Sequence, residues 1–445
     1  MDNHTRKLTG LTDKNITFEE NWFVEKKIKG QTIFIIQGKL SYTPTHCRKC
    51  GCKNEGTIVK NGTHLTRSQL VPFRGRKTML HLKRSRFLCR ECGATFNAQT
   101  SLIDENHHLS KELMYKIALE LKKNRSRKEI AEDNFVSDVT VMRVLRSFAK
   151  EYKPNFKYLP SVLCIDEFRS LNASDSPMSF IFMNGHTNQI IEILESRRFA
   201  FLKTHFMRYS RKARLKVKYL VMDMNAPYAK LIKSVFPNAQ VVTDRFHIVQ
   251  HINRTLNQYR TQIMNHFGKG KSKDDKRIYR HLKRFWRLFL KDSEELNSSD
   301  YYYNRSFKRP MSQKSIIDEL LFYSEELKLA YETCQMLLYH YRKKQANAFF
   351  EELEQLNTRL PEWFRKKLTF FKKYKQGVTN AFRLTYSNGA VEGTNNKIKV
   401  IKRVAYGYRN FINFRSRIYF IQGLILRTPA SNTKNQATSK MICSL

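Results

Sequence analysis

The sequence predicts a multidomain α+β protein: a small cysteine-bearing N-terminal domain, a helical pair, and a mixed-sheet domain interrupted by a large all-helical insertion. Three observations carry this reading. Two Cys-x-x-Cys-Gly pairs stand at Cys47 to Gly51 and Cys89 to Gly93. Apolar runs and helical patterns alternate from residue 161 to 244 in the order of a mixed sheet. From residue 249 to 383 the periodicity is nearly all helical, and that span is too long for a loop.

The composition narrows the partners. With 82 Lys and Arg against 39 Asp and Glu in 445 residues, the formal charge is +43. Self-repulsion of that size disfavours a compact chain unless a polyanion is the usual partner, and nucleic acid is the leading candidate. No apolar run approaches the roughly 18 to 20 residues of a membrane-spanning helix, and MDNHTRKLTGL lacks the apolar core of a signal peptide. A cytoplasmic protein is therefore expected, without a membrane partner. The 8 Cys are few and unevenly spaced, which suits free or metal-bound thiols better than disulfides.

Residues 1–46 carry strand-like runs such as Thr32 to Ile36, leading to a turn at Pro44. The Cys-x-x-Cys-Gly pairs then read as metal knuckles: each glycine lets backbone amides turn toward the sulfurs while Cys47, Cys50, Cys89 and Cys92 close a tetrahedral, structural Zn2+ site. Cys52 is an alternative ligand, although the symmetry of the motif favours Cys50. Strand-like KTMLHLKRSRFL lies between the pairs, so residues 1–105 are expected to form a zinc ribbon. Its basic surface includes Arg74, Arg76, Lys77, Lys83, Arg84 and Arg86.

Residues 106–150 are helical in pattern, and SRKEIAEDNFVSDVTVMRVLRSF has helix-turn-helix spacing. Ile130, Ala131, Val136, Val141 and Val144 would pack the pair, leaving Ser137, Asp138, Thr140, Arg143 and Arg146 to meet DNA. Phe135 occupies the turn position that often carries glycine, so a plain helical hairpin is the competing reading. Pro154 and Pro160 mark a linker at 151–160.

Residues 161–248 change character. Ser161 to Phe168 is an apolar run ending in acids, as for a buried strand that delivers Asp166 to its end. A hairpin around Asn184 to Asn188 supplies two more strands. A basic helix near Phe199 to Arg211, a strand from Val217 to Asp223, a helix from Ala226 to Phe236 and a strand from Gln240 to Asp244 complete an order that is ribonuclease-H-like. The insertion at 249–383 is rich in aromatic residues at helical spacing, most of them suited to a core. Trp286 sits in a basic helix able to touch DNA. Residues 384–426 return to the sheet domain, with Glu392 in the first turns of a helix and no other acid from Tyr386 to Phe420. The tail at 427–445 lacks periodicity and is expected to be disordered.

Singly, Asp166, Asp223 and Glu392 have ordinary readings as a turn cap, a helix cap and an ion-pair partner. Together, in a protein of this charge, they form the set of hard oxygen ligands that two Mg2+ or Mn2+ ions require. The cysteine knuckles, the helix-turn-helix pattern, "IDEF", "VMDMNAPYAKLIKSVFPNAQVVTDRFHIVQHINRTLNQYR" and "SNGAVEGTNNKIKVIKRVAYGYRNFINFRSRI" resemble bacterial insertion-sequence transposases of the DDE class, in the ISL-three group. The resemblance runs from about residue 45 to 425. It implies a ribonuclease-H-like catalytic domain with a helical insertion, binding of terminal inverted repeats and target DNA, and Mg2+-dependent cutting and joining. The family's triad falls on Asp166, Asp223 and Glu392.

Asp244 and His247 of "DRFH" also match a family motif, as groups behind the metal ligands, as phosphate-positioning groups, or as structural residues. Lys397, Lys399, Lys402, Arg403 and Arg409 are expected to hold phosphates. FIFMNGHTNQII departs from many relatives in lacking an acid at Asn184 or His186, which bears on whether this copy is fully active. A homodimer is expected because two DNA ends must be brought together. A catalytically inactive DNA-binding regulator, built on the ribbon and the helical pair, and a nuclease of RNA–DNA hybrids are the competing readings. A recombinase using a protein hydroxyl nucleophile finds no support, because no tyrosine stands out by context.

Overall fold

A computed structural model describes residues 1–224 and 226–426 of the chain. The tail expected to be disordered, 427–445, lies outside the described residues. The chain divides into two compact units, one of Met1–Lys153 with the segment from Lys397 onward, the other of Pro154–Asn396.

The first unit begins with a helix not anticipated from sequence, α1 (Asn3–Leu8), capped by Asp2, whose side chain accepts from the Thr5 amide. Its sheet has six strands: β1 (Ile16–Thr17), β2 (Phe23–Ile28), β3 (Gln31–Leu40), β4 (Ile58–Gln69), β5 (Thr78–Cys89) and β6 (Thr95–Asn97). β4 and β5 form a long antiparallel hairpin, while β3 joins β5 in parallel. β5 buries Leu80 and Leu82 and, after its alternation changes phase at the buried pair Arg84 and Ser85, Phe87 and Cys89, all in one core with Ile36 and Leu40 of β3. β5 ends at Cys89, so the sheet itself delivers one sulfur to the cysteine cluster.

Three helices follow: α2 (Lys111–Glu120), α3 (Arg127–Asp133) and α4 (Asp138–Ala149). Ser126 and Glu129 form a reciprocal capping box at the start of α3, and Ser137 caps α4 by accepting from the Thr140 amide. The tight turn between α3 and α4 places Phe135 at φ 53°. A bulky residue in the left-handed region is strained, by roughly 1–2 kcal/mol. Ile130, Ala131, Val141, Val144 and Leu145 are buried where the two helices meet.

The second unit holds a five-stranded sheet in the order β11-β10-β7-β8-β9. Its strands are β7 (Val162–Arg169), β8 (Met178–Asn184), β9 (Ile190–Leu194), β10 (Tyr219–Met222) and β11 (Gln240–Thr243). β7, β8 and β9 are antiparallel, whereas β10 and β11 run parallel to β7. The connections are helical: α5 (Phe199–Met207) and α6 (Arg211–Leu215) before β10, then α7 (Ala226–Val235) before β11. Phe180, Phe182, Leu202, Phe206, Leu220 and Phe236 fill the layer between sheet and helices. Leu159 belongs to this core and is 1% exposed, so the stretch expected as a linker at 151–160 is anchored near its end.

Beyond β11 the insertion comprises α8 (Arg245–Lys269), α9 (Lys273–Arg284), α10 (Trp286–Phe289), α11 (Gln313–Phe322), α12 (Glu325–Arg342), α13 (Ala346–Glu354), α14 (Glu362–Thr369) and α15 (Lys375–Arg383). The insertion departs from expectation in two ways. α8 starts directly after Asp244, so a boundary at 248/249 falls inside a continuous helix. The insertion is also not all helical, because β12 (Tyr302–Asn304) and β13 (Arg309–Met311) form a hairpin. Three consecutive tyrosines favour extended backbone, and Lys308 at φ 54° lies in the turn. α15 returns to the sheet closely enough that a Cβ on Gly377 would stand 2.8 Å from Thr243 Oγ1. The last helices among the described residues are α16 (Gly389–Val404) and α17 (Phe411–Ile421).

Candidate active site

The parallel strands β7, β10 and β11 bring their acids to the same end of the sheet. Asp223 follows the last residue of β10, and Asp244 follows the last residue of β11 and stands at the N-cap position of α8 without a side-chain capping bond. Asp166 is placed differently from expectation: it lies inside β7, which continues to Arg169. Pairing of β7 with β10 spans only Val162 to Cys164, while pairing with β8 continues to Arg169. Asp166 therefore lies just past the point where β10 stops.

One ligand atom from each of Asp223, Asp244 and His247 falls within 4.8 Å of the others. His247 Nε2 lies 2.8 Å from Asp223 Oδ1 and 3.8 Å from Asp244 Oδ2. The hydrogen bond to Asp223 raises the His247 pKa against the opposing effect of burial. Burial raises Asp166 to about 6, the Asp223 charge adding to the effect and the Glu167 amide opposing it. The neighbouring Glu167 is fully engaged, accepting from Tyr228 Oη and from the Arg197 guanidinium.

Two asparagines fasten α16 to these strands. Asn388, just before the helix, donates Nδ2 to the Ile165 carbonyl at 2.8 Å and its amide to Asp244 Oδ1 at 3.2 Å. Asn395 donates Nδ2 to Asp166 Oδ2 at 2.7 Å. Glu392 lies four residues after Asn388 and three before Asn395, so it shares their helical face, and it is exposed. It is not among the three groups gathered at Asp223, Asp244 and His247. Sequence reasoning overlooked Asn388 and Asn395. Both stood within SNGAVEGTNN, where the spacing of 388, 392 and 395 was the available signal.

Asn184 acts locally, its Oδ1 accepting from the His186 and Thr187 amides and so shaping the β8–β9 turn. In the first unit, Arg143 is exposed on α4, whereas Arg146 donates Nε to Asn413 Oδ1 at 3.0 Å and is partly committed to packing against α17. Lys397, Lys399 and Arg403 are exposed on α16, as is Arg409 beyond it. Lys402 Nζ lies 5.3 Å from the centre of the Phe414 ring.

The four expected sulfurs also come together, all within 4.8 Å of one another. Cys47 and Cys92 are 3.7 Å apart, and Cys50 and Cys89 are 3.9 Å apart. A tetrahedron with Zn–S bonds of about 2.3 Å has edges of about 3.8 Å, so these spacings fit that ion. Cys52 approaches Cys89 to 3.4 Å, shorter than such an edge. Amides of Cys50 and Lys49 directed at Cys47 lower its pKa to about 6, while against the Ala94 amide, burial and the neighbouring thiols push Cys92 up to about 12, so without a cation the four sulfurs are not all thiolates.

Known proteins share this chain's features over most of its length. A family described as "Transposase", of the DDE class and ISL-three type, matches residues 163–418, more than half of the chain. The chain is 24% identical over 376 residues to the transposase for insertion sequence element IS1001 of Bordetella parapertussis, covering 82% of this chain and 85% of that protein. It is 28% identical over 201 residues to a Lactococcus lactis subsp. lactis protein named "ATP-dependent protease", covering 44% of this chain and 59% of that one. A phosphate-binding loop would need a glycine five residues before Gly270-Lys271-Ser272, and Asn265 stands there.

Proposed function

The chain belongs to the DDE-class transposases of the ISL-three group, and from that premise we propose that it binds the terminal inverted repeats of an insertion sequence, hydrolyses a phosphodiester at each end and joins the freed 3′ ends to target DNA. The observation that carries this reading is the convergence of Asp223, Asp244 and His247 at the ends of the parallel strands, near enough to Asp166 for the Asp223 and His247 charges to act on it, with Asn388 and Asn395 fastening the Glu392 helix to the same strands.

The donors suit divalent ions: three carboxylates supply hard oxygen, and one imidazole is compatible with Mn2+ as well as Mg2+. Asp166, Asp223 and Glu392 would hold two such ions, with Asp244 and His247 as supporting groups. When bound, the ions lower the pKa of the attacking water and stabilise the leaving 3′ oxygen. Asn395 keeps one Asp166 oxygen oriented, and His247 does the same for Asp223. Asp244 ties the approach to α16 to the start of α8. No protein nucleophile is required.

The strand order fits a ribonuclease-H-like catalytic domain, and the α3–α4 pair fits a helix-turn-helix that reads the element's ends through Arg143, with Arg146 in support. Residues 1–105 form a zinc ribbon around one structural Zn2+. Lys397, Lys399, Lys402, Arg403 and Arg409 hold DNA phosphates. The active form is a homodimer that pairs two ends. No helix among the described residues is long and apolar enough to cross a membrane.

The test is strand cleavage and transfer on duplexes carrying the element's own ends, with Mg2+ or Mn2+. The wild type cuts and joins, while Asp166→Ala, Asp223→Ala and Glu392→Ala bind the ends but fall to background. A wild type that binds and never cuts, indistinguishable from all three variants, makes this chain a DNA-binding regulator. Cleavage of RNA–DNA hybrids without preference for element ends makes it a ribonuclease.

A further inference from the structure

Beside the proposed metal ligands stands a carboxylate that no step of strand cleavage uses. Glu167 follows Asp166 in β7, so its side chain points to the opposite face of the sheet, toward α7. There it accepts from Tyr228 Oη and from the Arg197 guanidinium, and it is only 15% exposed. Tyr228 is itself buried, its ring 5.8 Å from that of Phe180. A carboxylate taken this far out of water is costly unless it is paired and hydrogen-bonded. The inner end of the Arg197 head is therefore firmly held.

The outer end faces water. Arg197 is 46% exposed, and only its Nη1 meets Glu167, so the rest of its fork of donors has no partner among the described residues. Strand register puts this head at the end of the sheet where the acids lie. β9 runs parallel to β7, because each is antiparallel to β8. Glu167 stands opposite Phe180, and Phe180 opposite Leu194, so the three are level across the sheet. Arg197 comes three residues after Leu194, past the end of β9, just as Asp223 and Asp244 come past the ends of β10 and β11. Its head reaches back over β8 to β7. Glu167 joins the two groups directly: its amide donates to Asp166 Oδ1 at 2.7 Å while its carboxylate holds Arg197.

We propose that Arg197, aimed by Glu167, grips a backbone phosphate of the DNA strand presented to Asp166 and Asp223. The planar guanidinium can serve a carboxylate along one edge and a phosphate along another, so Glu167 orients the arginine and Tyr228 in turn holds Glu167. Such a contact fixes the position of the strand without reading its bases. This inference rests on the transposase reading for where the strand lies, but its test reads binding alone.

The experiment measures binding of full-length protein to a duplex carrying an element end, at several salt concentrations and without divalent metal. Arg197→Ala is expected to bind about 10-fold more weakly at the lowest salt. It should also lower the slope of log affinity against log salt by about 0.9, the share of one phosphate. Arg197→Lys keeps the charge and should keep the slope. A second series replaces single phosphates near the cleavage position by neutral methylphosphonates. One replacement should weaken the wild type and leave Arg197→Ala unaffected, because the contact is already gone. Thermal unfolding establishes that the variants are folded, and Arg197→Gln, neutral yet able to hydrogen-bond Glu167, gives the same readouts if the alanine variant does not fold. An unchanged slope in the folded neutral variant overturns the proposal, as does a methylphosphonate series that costs variant and wild type alike at every position. Cleavage of element ends, measured in parallel, separates the two readings: a protein that cuts but whose neutral variant keeps the slope loses only the Arg197 contact, and one that shows the contact without cutting loses only the catalytic assignment.

Discussion

Asp166 depends on a partner more than 200 residues away in sequence: Asn395 supplies the hydrogen bond to its Oδ2, and desolvation raises its pKa. Removing that donor leaves a buried carboxylate oxygen less well held. Asn395→Ala is therefore expected to lower strand cleavage about 10- to 100-fold, the usual cost of losing a group that orients a metal ligand. DNA affinity should stay unchanged, and single-turnover cleavage against metal concentration checks it, a shift to higher metal requirement being the expected signature. The positions of Asp223, where an apolar strand ends, and of Glu392, in the first turn of a helix, were legible in the sequence, whereas Asp166 lies inside its strand. The asparagines were not, because an asparagine at a helix start or on a helix face has the same appearance whether or not a distant carboxylate lies opposite.

Among the elements, two local devices set the geometry. The capping box of Ser126 and Glu129 fixes where α3 starts, just ahead of the strained turn at Phe135. Ser126→Ala is expected to destabilise the protein by about 0.5–2 kcal/mol, read as a lower denaturant midpoint at unchanged m-value. The second device is the close approach of α15 to β11. Gly377→Ala would set a Cβ 2.8 Å from Thr243 Oγ1 and 3.3 Å from a Val241 methyl. An overpacking cost of about 1–3 kcal/mol follows, measurable by thermal unfolding, and cleavage should fall with it because Thr243 precedes Asp244. Helix and strand placement was largely readable, since the apolar periods switch cleanly from 3.6 to 2. The β12–β13 hairpin was missed because its strands are short and embedded in helical sequence.

For the protein as a whole, charge and zinc are the quantities to vary. A chain carrying +43 should bind DNA with a steep salt dependence. If 6–10 phosphates are contacted, affinity falls about 10³- to 10⁵-fold between 50 and 200 mM salt, which a titration at several ionic strengths measures. Metal analysis of purified protein should give one Zn2+ per chain. Its removal by a chelator should lower the stability of the N-terminal sheet, since β5 runs directly into Cys89. Protein without bound zinc, or with a midpoint indifferent to chelation, would sink the ribbon assignment.

Neighbouring residues alone set the chemistry on offer: the cysteine spacing, the acids at strand ends, the excess of cations, and the family motifs that carry them. These features are local, because a ligand's identity and its position within a strand or helix are written in the residues beside it. Which of those groups meet was left to the folded chain. Folding drew Asp244 and His247 into the cluster with Asp223, placed Asp166 inside its strand, and left Glu392 exposed outside that cluster. It also brought Tyr228 and Arg197 together on Glu167. The physical reason is that such meetings depend on where strand pairing stops and how helices pack, and those contacts join residues far apart in the chain.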